Sequence, residues 1–279
     1  MLSYRHAYHA GNTADVLKHL VLWALLERMR SKEKGFKYID THAGAGAYSL
    51  SSKEAQKTGE WQTGIGRHLE RPSTQLHPLL GKLIACVQQQ GDDLIYPGSP
   101  LIAAQTLRHQ DSVACYELHS SDAQLLANNL RSQAAIKLYQ SDGLAGLLSQ
   151  LPTPTRRALV LIDPSYELKT DYQDIPKTVH KALSKMENAV IAIWYPVVDR
   201  GLSDQMVKAL TAGLSQRVDC FELGERADSE GYGMTSSGML VINSPWDLAQ
   251  SMSTLLTELA AQHSLDGEPH YRCDTLVAR

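Results

Sequence analysis

The sequence predicts an α/β domain in which helices cover both faces of a mostly parallel sheet. Three observations carry that expectation. Short apolar runs of strand length alternate with amphipathic helical segments along most of the 279 residues. The longest apolar stretches, such as residues 189–198, are sized for strands and not for membrane spans. Hydrophobic residues make up 43% of the chain, enough to fill the core of one large domain or of one domain with an insertion.

Residues 12–30 read as the first helix. Asn12 or Thr13 can cap it, and Val16, Leu17, Leu20, Val21, Ala24 and Leu25 recur at helical spacing. A short strand, 36–40, runs into the loop Thr41-His-Ala-Gly-Ala-Gly46. The rhythm then breaks: 51–96 is polar, helical over 79–90 and without a clear strand. Residues 51–95 are therefore expected to form an inserted helical subdomain, with 1–50 and 96–279 as the main domain.

After Pro97-Gly98 the alternation resumes. Ser99 is expected to cap a helix with Pro100 in its first turn, running to about residue 109. Strand 112–118, a helix after Ser120 or Ser121, strand 136–139, a short helix from Gly143 and strand 158–162 follow. A helix over 172–186, strand 189–197 and a helix from near Ser203 come next. Strands 217–223 and 238–243 have no helix between them, and a final helix covers 245–263. The count is seven strands, the last two forming a hairpin on a parallel sheet.

Composition bounds the function. A formal net charge of −3 argues against a non-specific coat for nucleic acid. Residues 1–40 nevertheless carry seven Lys/Arg against four Asp/Glu, with His6, His9 and His19 among them, and a specific nucleic-acid enzyme needs only such a local patch. Cys86, Cys115, Cys220 and Cys273 lie far apart and make no C-x-x-C pair, so reduced thiols and no metal site are expected. With mean hydropathy of −0.26 and a polar N-terminus, the chain is expected to be soluble and cytoplasmic, without membrane attachment.

Four motifs carry chemistry. Gly44 and Gly46 follow the first strand, where two glycines let the backbone turn tightly and approach a ligand. The third glycine of a dinucleotide fingerprint is missing, so the loop alone is a weak signal. Glu117 ends the second strand and can accept hydrogen bonds from both hydroxyls of a ribose; alone it also reads as an ordinary strand-end carboxylate. Asp142-Gly143 ends the third strand, where an Asp can accept from an adenine amine and Gly keeps the approach open, although the pair is also a common turn.

The fourth motif weighs most. The buried-type strand 158–162 runs into Asp163-Pro164-Ser165-Tyr166. Folding needs explain a charge followed by proline there poorly. Pro164 ends the ladder and fixes the backbone, and Tyr166 offers a flat face to a base. The amine of adenine is conjugated with its ring and is a poor nucleophile. The Asp163 carboxylate and the Pro164 carbonyl together can hold both N6 hydrogens and stabilise positive charge growing on that nitrogen. Asp163 can then take the released proton.

Asp163-Pro-Ser-Tyr166 resembles the Asp-Pro-Pro-Tyr motif of amino-methyltransferases, departing from it at Ser165. Longer strings match more specifically: Met1-Leu-Ser-Tyr-Arg-His6, His9-Ala-Gly-Asn12, Ala14-Asp-Val-Leu-Lys-His19, Asp40 to Gly46, Tyr96-Pro-Gly-Ser-Pro-Leu-Ile102, Trp194-Tyr-Pro-Val-Val198 and Gly238-Met239. Together they resemble the bacterial 23S ribosomal RNA adenine-N6 methyltransferases of the RlmJ family over nearly the whole chain, least in 51–95 and the last 30 residues. The resemblance implies a Rossmann-like class I methyltransferase fold, S-adenosylmethionine as donor and an adenine of 23S rRNA as acceptor. It places cofactor contacts at His19, His42, Ser99, Glu117, Asp142 and Gly143, catalysis at Asp163 with Pro164 and Tyr166, and RNA contact at Tyr4. The expected enzyme is a monomer acting on naked or partly assembled 23S rRNA.

Trp194-Tyr195-Pro196 can wall the target-base pocket or simply fill the core. Gly231 to Gly238 is a glycine-rich loop near the substrate or only a long turn. Three other functions compete. A DNA adenine methyltransferase shares the chemistry, but no target-recognition domain is evident. A non-catalytic nucleic-acid-binding protein linked to use of external DNA has no need of Glu117, Asp142 and Asp163. An NAD-dependent dehydrogenase lacks its G-x-G-x-x-G helix start.

Overall fold

The computed structural model describes residues 4–88, 93–131, 135–229 and 233–278. Asn12 starts the first helix, α1 (Thr13–Arg30), its side chain accepting the Asp15 N–H at 3.0 Å. The chain then runs through β1 (Lys37–Asp40), β2 (Ala47–Ser49), α2 (Lys53–Thr58), α3 (Glu60–Thr63), α4 (Gly66–Leu69), α5 (Pro78–Gln88), β3 (Ile95–Pro97) and α6 (Ser99–Thr106). Strands and helices alternate through β4 (Ser112–Tyr116), α7 (Ser120–Asn129), β5 (Ile136–Tyr139), α8 (Gly143–Gln150), β6 (Ala158–Ile162), α9 (Asp171–Lys185), β7 (Val190–Val197) and α10 (Arg200–Thr211). The chain closes with β8 (Val218–Gly224), β9 (Ser236–Ile242), α11 (Leu248–His263) and β10 (His270–Val277).

The main sheet has eight strands in the order β10-β8-β9-β7-β6-β1-β4-β5. From β5 to β7 every neighbouring pair is parallel, and β9, β8 and β10 are added antiparallel. β1 pairs on one side with β4 and on the other with β6, so the chain order reverses across it. Ligands of open α/β sheets bind at such a switch point, outside the carboxyl ends of the strands. Two apolar layers sandwich the sheet. One joins α1, α5, α6, α7 and α11 to one sheet face, and the other joins α8, α9 and α10 to the opposite face.

The seven expected strands are present, and the last expected pair, β8 and β9, is an antiparallel hairpin. Four details differ from the sequence expectation. β10 is an eighth, edge strand, half exposed and polar at alternate positions, so it lacks the apolar run that marks the interior strands. The polar stretch 51–96 does contain strand: β3 pairs antiparallel with β2, so a short ribbon holds the two ends of α2–α5 together. Ser99 is the first helical residue of α6 and not its cap, a position taken by Gly98. Likewise His119, not Ser120 or Ser121, precedes the first residue of α7. The expected helix end at Gln89 and Gln90, and Gly231 and Tyr232 of the glycine-rich loop, lie outside the described residues.

Among the described residues no helix is long and apolar enough to cross a membrane. The four cysteines are free thiols, three of them buried.

Candidate active site

A cleft of about 760 Å³ opens at the carboxyl ends of β1, β4, β5, β6 and β7. The expected site residues Tyr4, His19, His42, Ser99, Glu117, Asp142, Gly143, Asp163, Pro164 and Tyr166 all line it. Parallel pairing brings them together: Asp40 is level with Cys115 on β4 and with Leu161 on β6, so the loops leaving these strands meet at one edge.

One end of the cleft is built on backbone approach. Gly44 and Gly46 both adopt left-handed backbone, with φ of +59° and +78°, which side chains rarely tolerate. The turn they permit points the Gly44 N–H at Glu117 Oε2, 2.8 Å away, while the His119 N–H donates to Glu117 Oε1 at 2.7 Å. Each carboxylate oxygen keeps a lone pair for a further donor. Burial pushes the Glu117 carboxyl up from its usual range, opposed by those two N–H groups.

Asp142 caps α8, its Oδ1 accepting from Leu144 N and Ala145 N at 2.8 and 3.1 Å. Gly143 does more than keep an approach open: a Cβ there would lie 1.9 Å from the Thr41 carbonyl oxygen, so α8 can dock against the first loop only with glycine.

Two histidines are held neutral. Burial lowers His19 to about 3 and His42 to about 4. His19 Nδ1 lies 2.8 Å from the Tyr96 hydroxyl, and His42 Nδ1 lies 2.8 Å from Thr41 Oγ1. Each imidazole thus has one nitrogen committed to the protein and the other without a hydrogen-bond partner among the described residues. Ser99 is buried and hydrogen-bonds Asp40, which also accepts from the Tyr38 hydroxyl at 2.8 Å. Burial pushes Asp40 up to about 6, offset in part by Ser99 and Tyr38.

The other end centres on Asp163. Lys18 Nζ donates to Asp163 Oδ2 at 2.6 Å and lies 2.6 Å from Asp15 Oδ1. His6 Nε2 lies 3.0 Å from Asp15 Oδ2, and the Tyr4 hydroxyl lies 2.9 Å from His6 Nδ1. A continuous polar chain thus joins the half-exposed Tyr4 to the carboxylate at the end of β6. Although burial opposes its charge, His6 and Lys18 hold Asp15 well below the usual carboxylate range. Asp163 goes the other way: burial raises it and Lys18 offsets that rise. The protonated Lys18 is therefore the strongest influence opposing proton uptake by Asp163.

Past Asp163 the walls are aromatic. Tyr166 sits at φ +54°, a left-handed conformation for a bulky residue, held by its hydroxyl donating to the Trp194 carbonyl at 2.7 Å. Its ring packs 4.7 Å from that of Tyr172 and 5.9 Å from that of Trp194. Trp194 and Pro196 line the cleft, and the Trp194 indole nitrogen is buried with no partner among the described residues. Tyr195 points to the opposite face, fully buried, with its hydroxyl on Glu222 at 2.7 Å; it belongs to the core.

Sequence reasoning assigned no role to His6, Asp15 or Lys18. The signal was present: Asp15, Lys18 and His19 share one side of a helix otherwise almost wholly apolar and buried, and buried charges demand partners.

A family model described as Ribosomal RNA large subunit methyltransferase D, RlmJ, matches residues 33–274. The Ribosomal RNA large subunit methyltransferase J of Haemophilus influenzae is 44% identical over 263 residues, 93% of either chain. Its Escherichia coli namesake is 41% identical over 279 residues, 99% of either chain. The crystal structure of protein LPL1258 from Legionella pneumophila is similar with a TM-score of 0.86 and 31% identity, covering 96% of this chain and 98% of that one.

Proposed function

The chain belongs to the RlmJ family of large-subunit ribosomal RNA methyltransferases, and from that premise we propose the roles of its cleft residues. The reaction is S-adenosylmethionine-dependent methylation of adenine N6 in 23S rRNA.

The donor set fits the cofactor. Glu117 presents two free lone pairs at the end of β4, where ribose hydroxyls need acceptors. Asp142 Oδ2 has no partner among the described residues and can accept an adenine amine. Neutral His19 and His42 and the buried Ser99 offer uncharged polar atoms to the amino-acid end. When bound, S-adenosylmethionine supplies an electrophilic methyl group on a sulfonium.

The chain's own part is to bring the amine nitrogen into line and carry its charge. Asp163 and the Pro164 carbonyl accept the two N6 hydrogens, freeing the nitrogen lone pair from the ring and stabilising the positive charge it gains. As the N6 nitrogen takes the methyl group, whose bond to sulfur breaks to leave S-adenosylhomocysteine, one N6 proton passes to Asp163. Lys18 holds Asp163 in its ionised form, and Tyr166, Trp194 and Pro196 wall a base turned out of its stack, the arrangement base-modifying enzymes require. Tyr4, at the rim, meets the RNA.

The observation that carries this assignment is the position of Asp163: it ends the central strand β6, inside the cleft, on a buried lysine. Asp163→Ala tests it. Methylation of a 23S rRNA transcript is expected to vanish while S-adenosylhomocysteine still binds; an active Asp163→Ala enzyme refutes the role. The same proposal takes the enzyme to be a cytoplasmic monomer acting on naked or partly assembled 23S rRNA. The segment 51–95, tied off by the β2–β3 ribbon, is read as an inserted helical subdomain.

A further inference from the structure

Beside the main cleft lies a smaller cavity of about 230 Å³ that shares Asn12, Ala14, Glu60 and Met234 with it. It sits over the ends of β8 and β9. In the sheet order this places it across β6 and β7 from the loops that carry Glu117 and Asp142, so it is on the side away from the cofactor residues.

Its chemistry is one-sided. Glu60 and Glu225 line it, with hydroxyls from Thr63, Thr235, Ser236 and Ser237, and no Lys or Arg lines it among the described residues. Glu225 Oε1 accepts from Thr13 Oγ1 at 2.6 Å; Oε2 has no partner among the described residues. Ser237 is 1% exposed, and its Oγ is buried without a hydrogen-bond partner among the described residues. It shares a sheet face with Met239 and Val241, the face that α1 covers, so its hydroxyl points toward the α1 start that roofs the cavity. A buried hydroxyl without a partner costs free energy that a ligand can recover. Leu223 and Met234 supply apolar surface beside these acceptors.

We propose that this cavity receives a nucleobase next to the methylated adenine, and that it selects guanine. The inference rests on the RNA reading above and adds a determinant of sequence preference to it. Glu60 is held by His9 and Asn12, at 3.0 Å each, whereas Glu225 keeps one oxygen open; that open carboxylate repels phosphate and rejects an edge of carbonyl acceptors, as in uracil. Guanine presents N1–H and an N2 amine side by side, two parallel donors matched to one carboxylate, with Ser237 Oγ available to accept a further hydrogen. Single-stranded RNA is read in this way, through splayed bases hydrogen-bonded along their Watson–Crick edges.

The test uses 23S rRNA transcripts carrying guanine, inosine, cytosine or uracil at each position flanking the methylated adenine, with kcat/KM as readout. At one position guanine is expected to exceed uracil by about tenfold or more, with inosine between them for want of the N2 amine. Glu225→Gln and Ser237→Ala are each expected to cut that preference to less than about threefold, leaving S-adenosylhomocysteine affinity unchanged. Because Glu225 also bonds Thr13, Ser237→Ala provides the second, smaller perturbation should Glu225→Gln fail to fold. Equal rates for all four bases, or a preference that survives Ser237→Ala undiminished, overturns the inference while leaving the methyltransferase reading intact. A wild-type enzyme inactive on every transcript overturns both.

Discussion

Replacing Lys18 by Met keeps the length and apolar body of the side chain but removes the cation that touches both Asp15 and Asp163, each at 2.6 Å. Two unit charges about 4 Å apart attract by about 4 kcal/mol at the effective dielectric of 20 that suits protein sites. Burial already raises Asp163 and Lys18 offsets the rise, so without Lys18 the carboxyl should hold its proton to higher pH. A protonated oxygen is a donor where the amine needs an acceptor. Single-turnover methylation of a 23S rRNA transcript between pH 5.5 and 9 should therefore show the acid limb moving to higher pH, with a rate near pH 7 lower by about tenfold or more. The variant should also lose stability, by at most the roughly 3–5 kcal/mol typical of an orphaned buried charge, because protonation relieves part of it. An acid limb in the wild-type position would refute the claim that Lys18 sets the ionisation of Asp163.

Glu117→Ala should weaken S-adenosylmethionine binding by about tenfold or more in calorimetry, since a buried carboxylate taking two hydroxyls is lost; unchanged affinity would remove the ribose contact. Tyr4→Ala should lower turnover on 23S rRNA without altering cofactor affinity, and full activity would take Tyr4 out of the RNA site. Gly143→Ala drives a Cβ to within 1.9 Å of the Thr41 carbonyl, so the melting temperature should fall by several degrees or more, and a wild-type melt would count against the close docking of α8. Acid should destabilise the fold through His19, His68 and His263, which are fully buried and lowered by burial to about 3, 4 and 3. The unfolded chain takes up these protons first, so the stability they confer is present above about pH 6.5 and is lost as pH falls toward their folded values. Asp40, raised to about 6, works in the opposite sense below that pH. His42, lowered to about 4, adds in the same sense as the other histidines; between pH 7.5 and 5.0 urea titrations should show a net loss on the order of several kcal/mol, and constant stability would refute the buried neutral state of these histidines.

The interior of the parallel half was legible in the sequence because its central strand is apolar throughout: β6 reads Ala-Leu-Val-Leu-Ile and is buried at every position. β10 was not, because one face of an edge strand meets water and its polar residues look like a loop. β3 was missed because a three-residue strand in a ribbon carries no period to detect. The site showed the same division. Asp163-Pro164 stands out because charge and proline at a strand end serve folding poorly. The chain Tyr4–His6–Asp15–Lys18 stayed silent because its links are tertiary: helical spacing shows that Asp15 and Lys18 share a side, but only the packing of α1 across the end of β6 turns Lys18 toward Asp163. Glu225 and Ser237 lie more than two hundred residues from Asn12 and Ala14, so no local pattern announces the cavity they share.

Nucleoside mass spectrometry of 23S rRNA, taken from cells that carry the gene, lack it, or express only Asp163→Ala, weighs the whole assignment at once. N6-methyladenosine at one site should be present in the first strain, absent from the second and still absent from the third. The same modification level in all three would contradict a methyltransferase whose acceptor is the carboxylate at the end of β6.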